Sequence, residues 1–387
     1  MNQVAIVGVG QTKYKRRHEE LSSRELIWHA AKEALLDADM SIKDIDVIVT
    51  GVAPDALSGE GSVERTGMMG VGKPFVRVNT GGVTGSSAVF SGASYIKSGR
   101  AKAVLVVALE RMGQASTSQA VFNTIFDPVY EKDFPLTTIT MAALRASMLM
   151  RLYGYTDWHW AGIAARNYQN ALKNPLAHLH MDITPEDVLA SPLLSWPIHR
   201  YEACPMSEGA CAVVLVDKDR VGDRKAAWIR GSASTSDAYA MGDRIHRPAG
   251  TLVDLLSLRL SAERAYRDAG ITDPGKQIKV VELYSAFSSA EAMAYPALGF
   301  CKAENGPQYV DELMAHQVST VFNPSGGPQG ANPVSATAMV RIAECALQVR
   351  GMAGDRQVDG VDIAVATGQG GATQFSTVCV LGRHPNQ

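Results

Sequence analysis

Five cysteines, nine histidines and two glycine-rich segments are the parts of this 387-residue chain best suited to chemistry. Cys204, Cys211, Cys301, Cys345 and Cys379 are odd in number and widely spaced, with no Cys-x-x-Cys. That spacing supports neither a disulfide framework nor a zinc site, and buried thiols are expected. His178 and His180 are close together in a loop-like stretch after Asn174-Pro175. Two imidazoles are half a metal site, so a solvated loop and no metal are expected. The glycine-rich segments, Thr80 to Ser87 and Ser325 to Pro333, each open a helix, where glycine permits tight turns and close backbone approach. Neither reads G-x-x-x-x-G-K-[ST] or G-x-G-x-x-G, so no nucleotide loop is indicated.

The elements that position these segments occur twice. Leu26 to Asp39 has apolar residues at helical spacing and leads through a short turn into the strand Ile45 to Val49. Leu260 to Gly270 repeats that helix and turn, and leads into Ile278 to Leu283. Strands precede both helices, at Val4 to Val7 and at Ala227 to Gly231. The glycine-rich segments continue the likeness: one opens a helix to Ser98-Gly99 and a strand Ala103 to Ala108, the other a helix to Arg350-Gly351 and a strand Val361 to Ala366. Two such repeats predict a duplicated α/β domain with helices covering central sheets. The charged stretch Asp217 to Arg224 is the expected boundary, giving halves at 1–224 and 225–387. Residues 113–200 read as an insertion in the first half, rich in Tyr153, Tyr155, Trp158, His159 and Trp160, and are expected to cover a substrate.

Composition narrows the function classes. With 46% apolar residues, 20% charged residues and a net charge of −2, the chain shows neither the basic stripe of a nucleic-acid binder nor a membrane span of ~18 apolar residues. The run Val4 to Gly8 lacks a basic leader and reads as a first strand rather than a signal peptide, so a cytoplasmic protein is expected.

Six ordered segments resemble the thiolase superfamily, in its sterol-carrier-protein-like branch. They are Arg77 to Asn79 with Gly82 to Ser86, Ala108 to Met112, Cys204 to Ala210, Glu282 to Phe287, Asn323 to Gly327 with Ala331 to Pro333, and Gly370-Gly371. The resemblance implies two pseudo-symmetric mixed β-sheets in a five-layered αβαβα arrangement, and a homodimer. It also marks departures. Gly82 stands where thiolases place a nucleophilic cysteine at a helix mouth. Asn332 replaces the histidine that activates that cysteine, and Tyr284 replaces an asparagine or histidine. The second cysteine, expected near Thr367 or Gly368, is absent. The hydroxyls of Thr84, Ser86 and Ser87 read as helix packing or capping rather than substitute nucleophiles, because a serine nucleophile needs an adjacent base.

A retro-aldol cleavage needs no covalent intermediate: a base for the β-hydroxyl, donors for the enolate and an acid for the α-carbon suffice. The resemblance extends to the thiolase-like side-chain aldolases of bacterial steroid degradation, which use tyrosine in this role and work with a small OB-fold and zinc-ribbon subunit. It therefore implies an aldolase acting on a CoA thioester, with no cofactor beyond the substrate's own CoA. Tyr284 and Asn332 are the expected catalytic residues, the phenol requiring a lowered pKa or a concerted partner. Asn332 also reads as a helix N-cap before Pro333. Gly82, Thr84, Gly327 and Gly370 are the expected substrate contacts. Tyr295 and His199 are candidates for the cavity wall, with core packing as the alternative. Two further readings stay open: an acyltransferase or thiolase with its nucleophile elsewhere, and a non-catalytic acyl-CoA carrier or scaffold.

Overall fold

The computed structural model describes residues 3–52, 72–114, 118–131, 133–245 and 252–386. Of the segments read above, Met1-Asn2 and residues 115–117 and 132 of the insertion lie outside these. The N-terminal half runs β1 (Val4–Gln11), α1 (Ser23–Asp37), β2 (Val47–Val52), β3 (Phe75–Val78), α2 (Thr84–Lys97) and β4 (Ala103–Glu110). The insertion follows with α3 (Thr138–Tyr153), α4 (Asp157–Leu172) and the hairpin β5 (Leu193–Ser195) and β6 (Ile198–His199), before β7 (Gly209–Asp217) closes the half. The C-terminal half comprises β8 (Ala227–Ser236), α5 (Leu256–Ala269), β9 (Val280–Glu282), α6 (Ser288–Ala297), α7 (Gly306–Met314), β10 (Val321–Phe322), α8 (Val334–Arg350), β11 (Ile363–Gly370) and β12 (Phe375–Gly382).

The strands are ordered β10-β9-β11-β12-β8-β1-β7-β4-β2-β3. Read outward from the centre, the five strands of each half follow the same plan: two antiparallel pairings, then two parallel ones. The two expected sheets thus meet edge to edge, through only Ala5 opposite Trp228 and Ile6 opposite Ala227. Every residue of β4 and β7 is buried, the pattern of strands covered on both faces.

Helices supply the covering layers. α1 starts at a capping box in which Ser22 N–H donates to Glu25 Oε2 (2.8 Å) and the Ser22 hydroxyl accepts from Glu25 N–H (3.3 Å). It lies so close to β1 that a Cβ on Gly8 would overlap the Ala34 carbonyl; Gly231 of β8 and Ala265 of α5 repeat that contact in the other half. Between the halves, α2 and α8 pack together, and a Cβ on Gly85 would come within 2.6 Å of Met339 N. α8 buries 15 of its 17 residues and is therefore a helix of the interior. Its Met339, Val340, Ala343 and Ala346 share one apolar core with Val104, Val106 and Val213 of the first half and Ala364 and Cys379 of the second.

One expectation is corrected here. The second glycine-rich segment does not run straight into a long helix: a single turn, Gly327–Gly330, is followed by a break at Ala331 to Pro333, and α8 begins only at Val334. The buried aromatic residues Tyr155 and Trp160 of the insertion pack into a core shared with the C-terminal half, in one apolar cluster with Leu258 of α5, Met293 of α6 and Tyr309 of α7. Tyr155 and Trp160 stack with centroids 4.9 Å apart and are buried, while Trp158 faces outward. Within the described residues no helix is long and apolar enough to cross a membrane.

Candidate active site

Tyr284 sits just beyond β9, at the C-terminal ends of the parallel strands β9 and β11. Two side chains fix its backbone: Leu283 N–H donates to Asn323 Oδ1 (2.7 Å) and Tyr284 N–H to Thr367 Oγ1 (2.9 Å). The phenol makes one long bond, to the Val334 carbonyl at 3.4 Å, beside the Thr337 hydroxyl. It is only 6% exposed. Burial, reinforced by Cys204 and Glu110, pushes its pKa well above the ordinary value of about 10. The lowered pKa required of a free base is therefore not present; the phenol holds its proton.

Asn332 is held on four sides. Its N–H donates to Ser207 Oγ (3.0 Å) and its carbonyl accepts from Ser207 N–H (3.2 Å). Its amide nitrogen donates to Cys204 Sγ (3.0 Å), and its Oδ1 accepts from the Thr337 hydroxyl (2.8 Å). The N-cap reading is overturned: Pro333 occupies the cap of α8, and the Asn332 side chain is committed to Cys204 and Thr337. Cys204 is tied to the tyrosine segment by its N–H, which donates to the Ala286 carbonyl (2.9 Å). Burial pushes its thiol up to about 12, so it is no nucleophile at neutral pH. Glu110 closes the far side, accepting Ser335 N–H (2.9 Å) and Ser335 Oγ (2.6 Å) at the start of α8.

Gly82 and Gly370 stand back to back. A Cβ on Gly82 would overlap the Gln369 carbonyl and lie 3.1 Å from Gly370 Cα; one on Gly370 would lie 3.3 Å from Gly82 N. As folded, position 82 has no room for a cysteine. Thr84 does not present its hydroxyl to a ligand: the side chain is buried and its Oγ1 accepts Thr80 N–H (2.9 Å). Gly327 is also buried, at a φ of 57°, in the turn against Asn323. This backbone conformation favours glycine and accounts for the residue without a ligand.

Tyr295 and His199 are placed apart from this group. Tyr295 is fully buried; its hydroxyl donates to Glu291 Oε1 (2.9 Å) and accepts from Arg166 (3.3 Å). Glu291 also pairs with Arg166, accepts Asn167 Nδ2 (2.8 Å) and accepts Asn323 Nδ2 (2.9 Å). This network joins helix α4 of the insertion to Asn323, and through Asn323 to the backbone at Tyr284. Tyr295 is thus part of the scaffold, not the cavity wall. The His199 ring bonds the Ser191 carbonyl within its own hairpin (3.1 Å). Among the described residues no group of three His, Cys, Asp or Glu side chains could hold a metal. A separate cleft of about 320 Å³, beside Tyr153, Arg259, Cys301 and Lys302, contains none of these residues.

The family description "Thiolase, N-terminal domain" matches residues 4–191, and "Thiolase C-terminal domain-like" matches residues 242–383. The chain belongs to the thiolase superfamily. Its place in the sterol-carrier-protein-like branch agrees with 28% identity to human sterol carrier protein 2 over 396 residues, covering 96% of this chain and 71% of the relative. An acetyl-CoA acetyltransferase of Methanothermobacter thermautotrophicus is 29% identical over 395 residues, covering 99% and 100%. Among solved structures, the fold is similar to an Ltp2-ChsH2(DUF35) aldolase, with a TM-score of 0.82, 24% identity, and coverage of 98% and 97%. The site holds a buried phenol whose pKa is raised, an asparagine bonded to the buried Cys204 thiol, and a pair of touching glycines at 82 and 370. The roles of Ser207, Thr337, Glu110 and His178 around it carried no signal of their own in the sequence.

Proposed function

We infer that this protein is a thiolase-like aldolase that cleaves a β-hydroxyacyl-CoA to a ketone and a shorter acyl-CoA without an acyl-enzyme. What carries the reading is a buried, proton-bearing phenol beside an amide donor, with glycine where an attacking thiol would have to stand. In the proposed concerted step the Cα–Cβ bond breaks and its electron pair takes the Tyr284 proton at the α-carbon, while the β-hydroxyl proton passes to the phenolic oxygen and the hydroxyl oxygen becomes the ketone. Enolate charge builds on the thioester oxygen only in the transition state, and Tyr284 never stands as a free phenolate. Asn332 donates an amide hydrogen to the enolate oxygen. No cofactor is required beyond the CoA of the substrate.

The similar fold of the Ltp2-ChsH2(DUF35) aldolase supports this reading, and the ChsH2(DUF35) component of that aldolase supports a complex with a small acyl-CoA-binding subunit, proposed to be of OB-fold and zinc-ribbon type. A homodimer and a bulky, steroid-derived acyl group are part of the same proposal. The test is incubation with a β-hydroxyacyl-CoA carrying a fused-ring substituent, with and without the small subunit, following ketone and acyl-CoA release. Release that persists in Tyr284→Phe removes this tyrosine from the mechanism. No release under either condition leaves the acyl-CoA carrier or scaffold reading, which the names of the sterol carrier relatives favour.

A further inference from the structure

His178 lies in the loop after α4, and the backbone N–H groups of His178 and Leu179 both donate to the Gly330 carbonyl, at 2.9 and 3.0 Å. The loop is thereby fixed to the turn that delivers Asn332. The His178 ring turns inward, with Nδ1 2.9 Å from Ser207 Oγ. That hydroxyl already accepts Asn332 N–H. The oxygen can accept a second bond, but among the described contacts the buried Ser207 proton has no acceptor other than Nδ1. The arrangement that pairs that proton makes His178 a neutral imidazole carrying its own proton on Nε2. We propose that His178 is a positioning residue, which by accepting the Ser207 proton orients the hydroxyl that fixes Asn332. The inference rests on the reading of Asn332 as the enolate's donor.

Protonating His178 turns both ring nitrogens into donors. The Ser207 oxygen can then accept from both Nδ1–H and Asn332 N–H, but the Ser207 proton loses its acceptor in a pocket where Ser207 is only 1% exposed. The charged groups around the ring oppose that state. Lys13 reaches over from beyond β1, its Nζ donating to the Pro175 and Ala177 carbonyls (2.7 and 2.6 Å), and Arg16 adds a second positive charge. Burial acts in the same direction, so the imidazole charges only below its ordinary value of 6.5. His180, the other ring of this loop, is occupied with the Asn174 carbonyl (2.8 Å) and does not compensate. The neutral form pairs the Ser207 proton, and the charged form leaves that proton without its acceptor.

The test uses the full chain labelled with ¹⁵N at histidine and asparagine. Ring spectra of His178 should show the Nε2–H tautomer through neutral pH and a titration midpoint below 6.5, and the Asn332 amide resonances should move with that midpoint. In Ser207→Ala the tautomer preference should be lost. In cleavage assays, His178→Ala should lower kcat by about tenfold or more, as expected when a buried hydrogen bond is lost. His178→Asn, which keeps an acceptor but cannot titrate, should recover most of kcat and lose the acidic limb of the pH profile. An Nδ1–H tautomer, or Asn332 resonances indifferent to His178 titration, overturns the proposal. So do identical pH profiles in wild type and His178→Asn. Should the wild type cleave no β-hydroxyacyl-CoA, the aldolase reading fails while the spectra still decide the hydrogen-bond chain.

Discussion

Tyr284 keeps its proton because burial removes water from it, and that state makes a clear kinetic prediction. Tyr284→Phe should reduce cleavage by about 10²-fold or more, the usual worth of a positioned acid–base group. Its melting temperature should change little, because the hydroxyl makes a long 3.4 Å bond to the Val334 carbonyl and meets a Thr337 hydroxyl that already donates to Asn332; calorimetry beside the cleavage assay separates the two effects. Gly82→Cys should not create a thiolase. The new Cβ meets the Gln369 carbonyl, and overpacking of this kind costs about 1–3 kcal/mol. Denaturant unfolding should register that loss, and mass spectrometry should find no acyl adduct at the introduced thiol. Gly82 and Tyr284 could be singled out in the sequence, since each is one residue inside a local motif. The state of the phenol could not, because its pKa depends first on burial in the assembled fold and then on Cys204 and Glu110, 80 and 174 positions away in the chain.

Among the elements, the insertion is tied to the site by charged groups that local pattern could not disclose. Arg166 of α4 and Glu291 of α6 form a buried pair that also holds Asn323, and removing one partner leaves the other uncompensated. Glu291→Gln should therefore destabilise by about 3–5 kcal/mol and loosen the backbone at Leu283, both measurable by urea unfolding and hydrogen exchange. Glu202, just before Cys204, offers a pH test. Burial, reinforced by Asp157, raises its carboxyl from 4.5 to about 8, and its Oε1 has no hydrogen-bond partner. A raised folded pKa means that the fold favours the protonated form. Its contribution is complete below pH 4.5 and is lost as pH rises toward 8. Glu202→Gln should flatten that decline, gaining up to about 4 kcal/mol at alkaline pH relative to wild type. The start of α8 shows why boundaries resist sequence reading. Asn332-Pro333 has the signature of a cap, yet tertiary partners 128 and 5 residues away claim the asparagine first.

At the scale of the whole molecule, the two halves share their interior. Met339 and Val340 of α8 complete the core behind β4 and β7, so the N-terminal half lacks one of its covering layers when alone. Residues 1–224 expressed separately should show poorly dispersed amide spectra, while the full chain should unfold in one cooperative transition by calorimetry. The duplication was legible because helix, turn and strand recur with similar residues. The seam at Ala5 and Ile6 was not, since alternation within a strand does not say which edge it meets.

The touching glycines at 82 and 370 bear on how this site can change over generations. A codon change placing cysteine at 82 would produce a side chain for which the fold has no room until the end of β11 moves. Position 82 and the backbone at 369–370 are therefore not free to vary independently: any side chain gained at one has to be matched by displacement at the other.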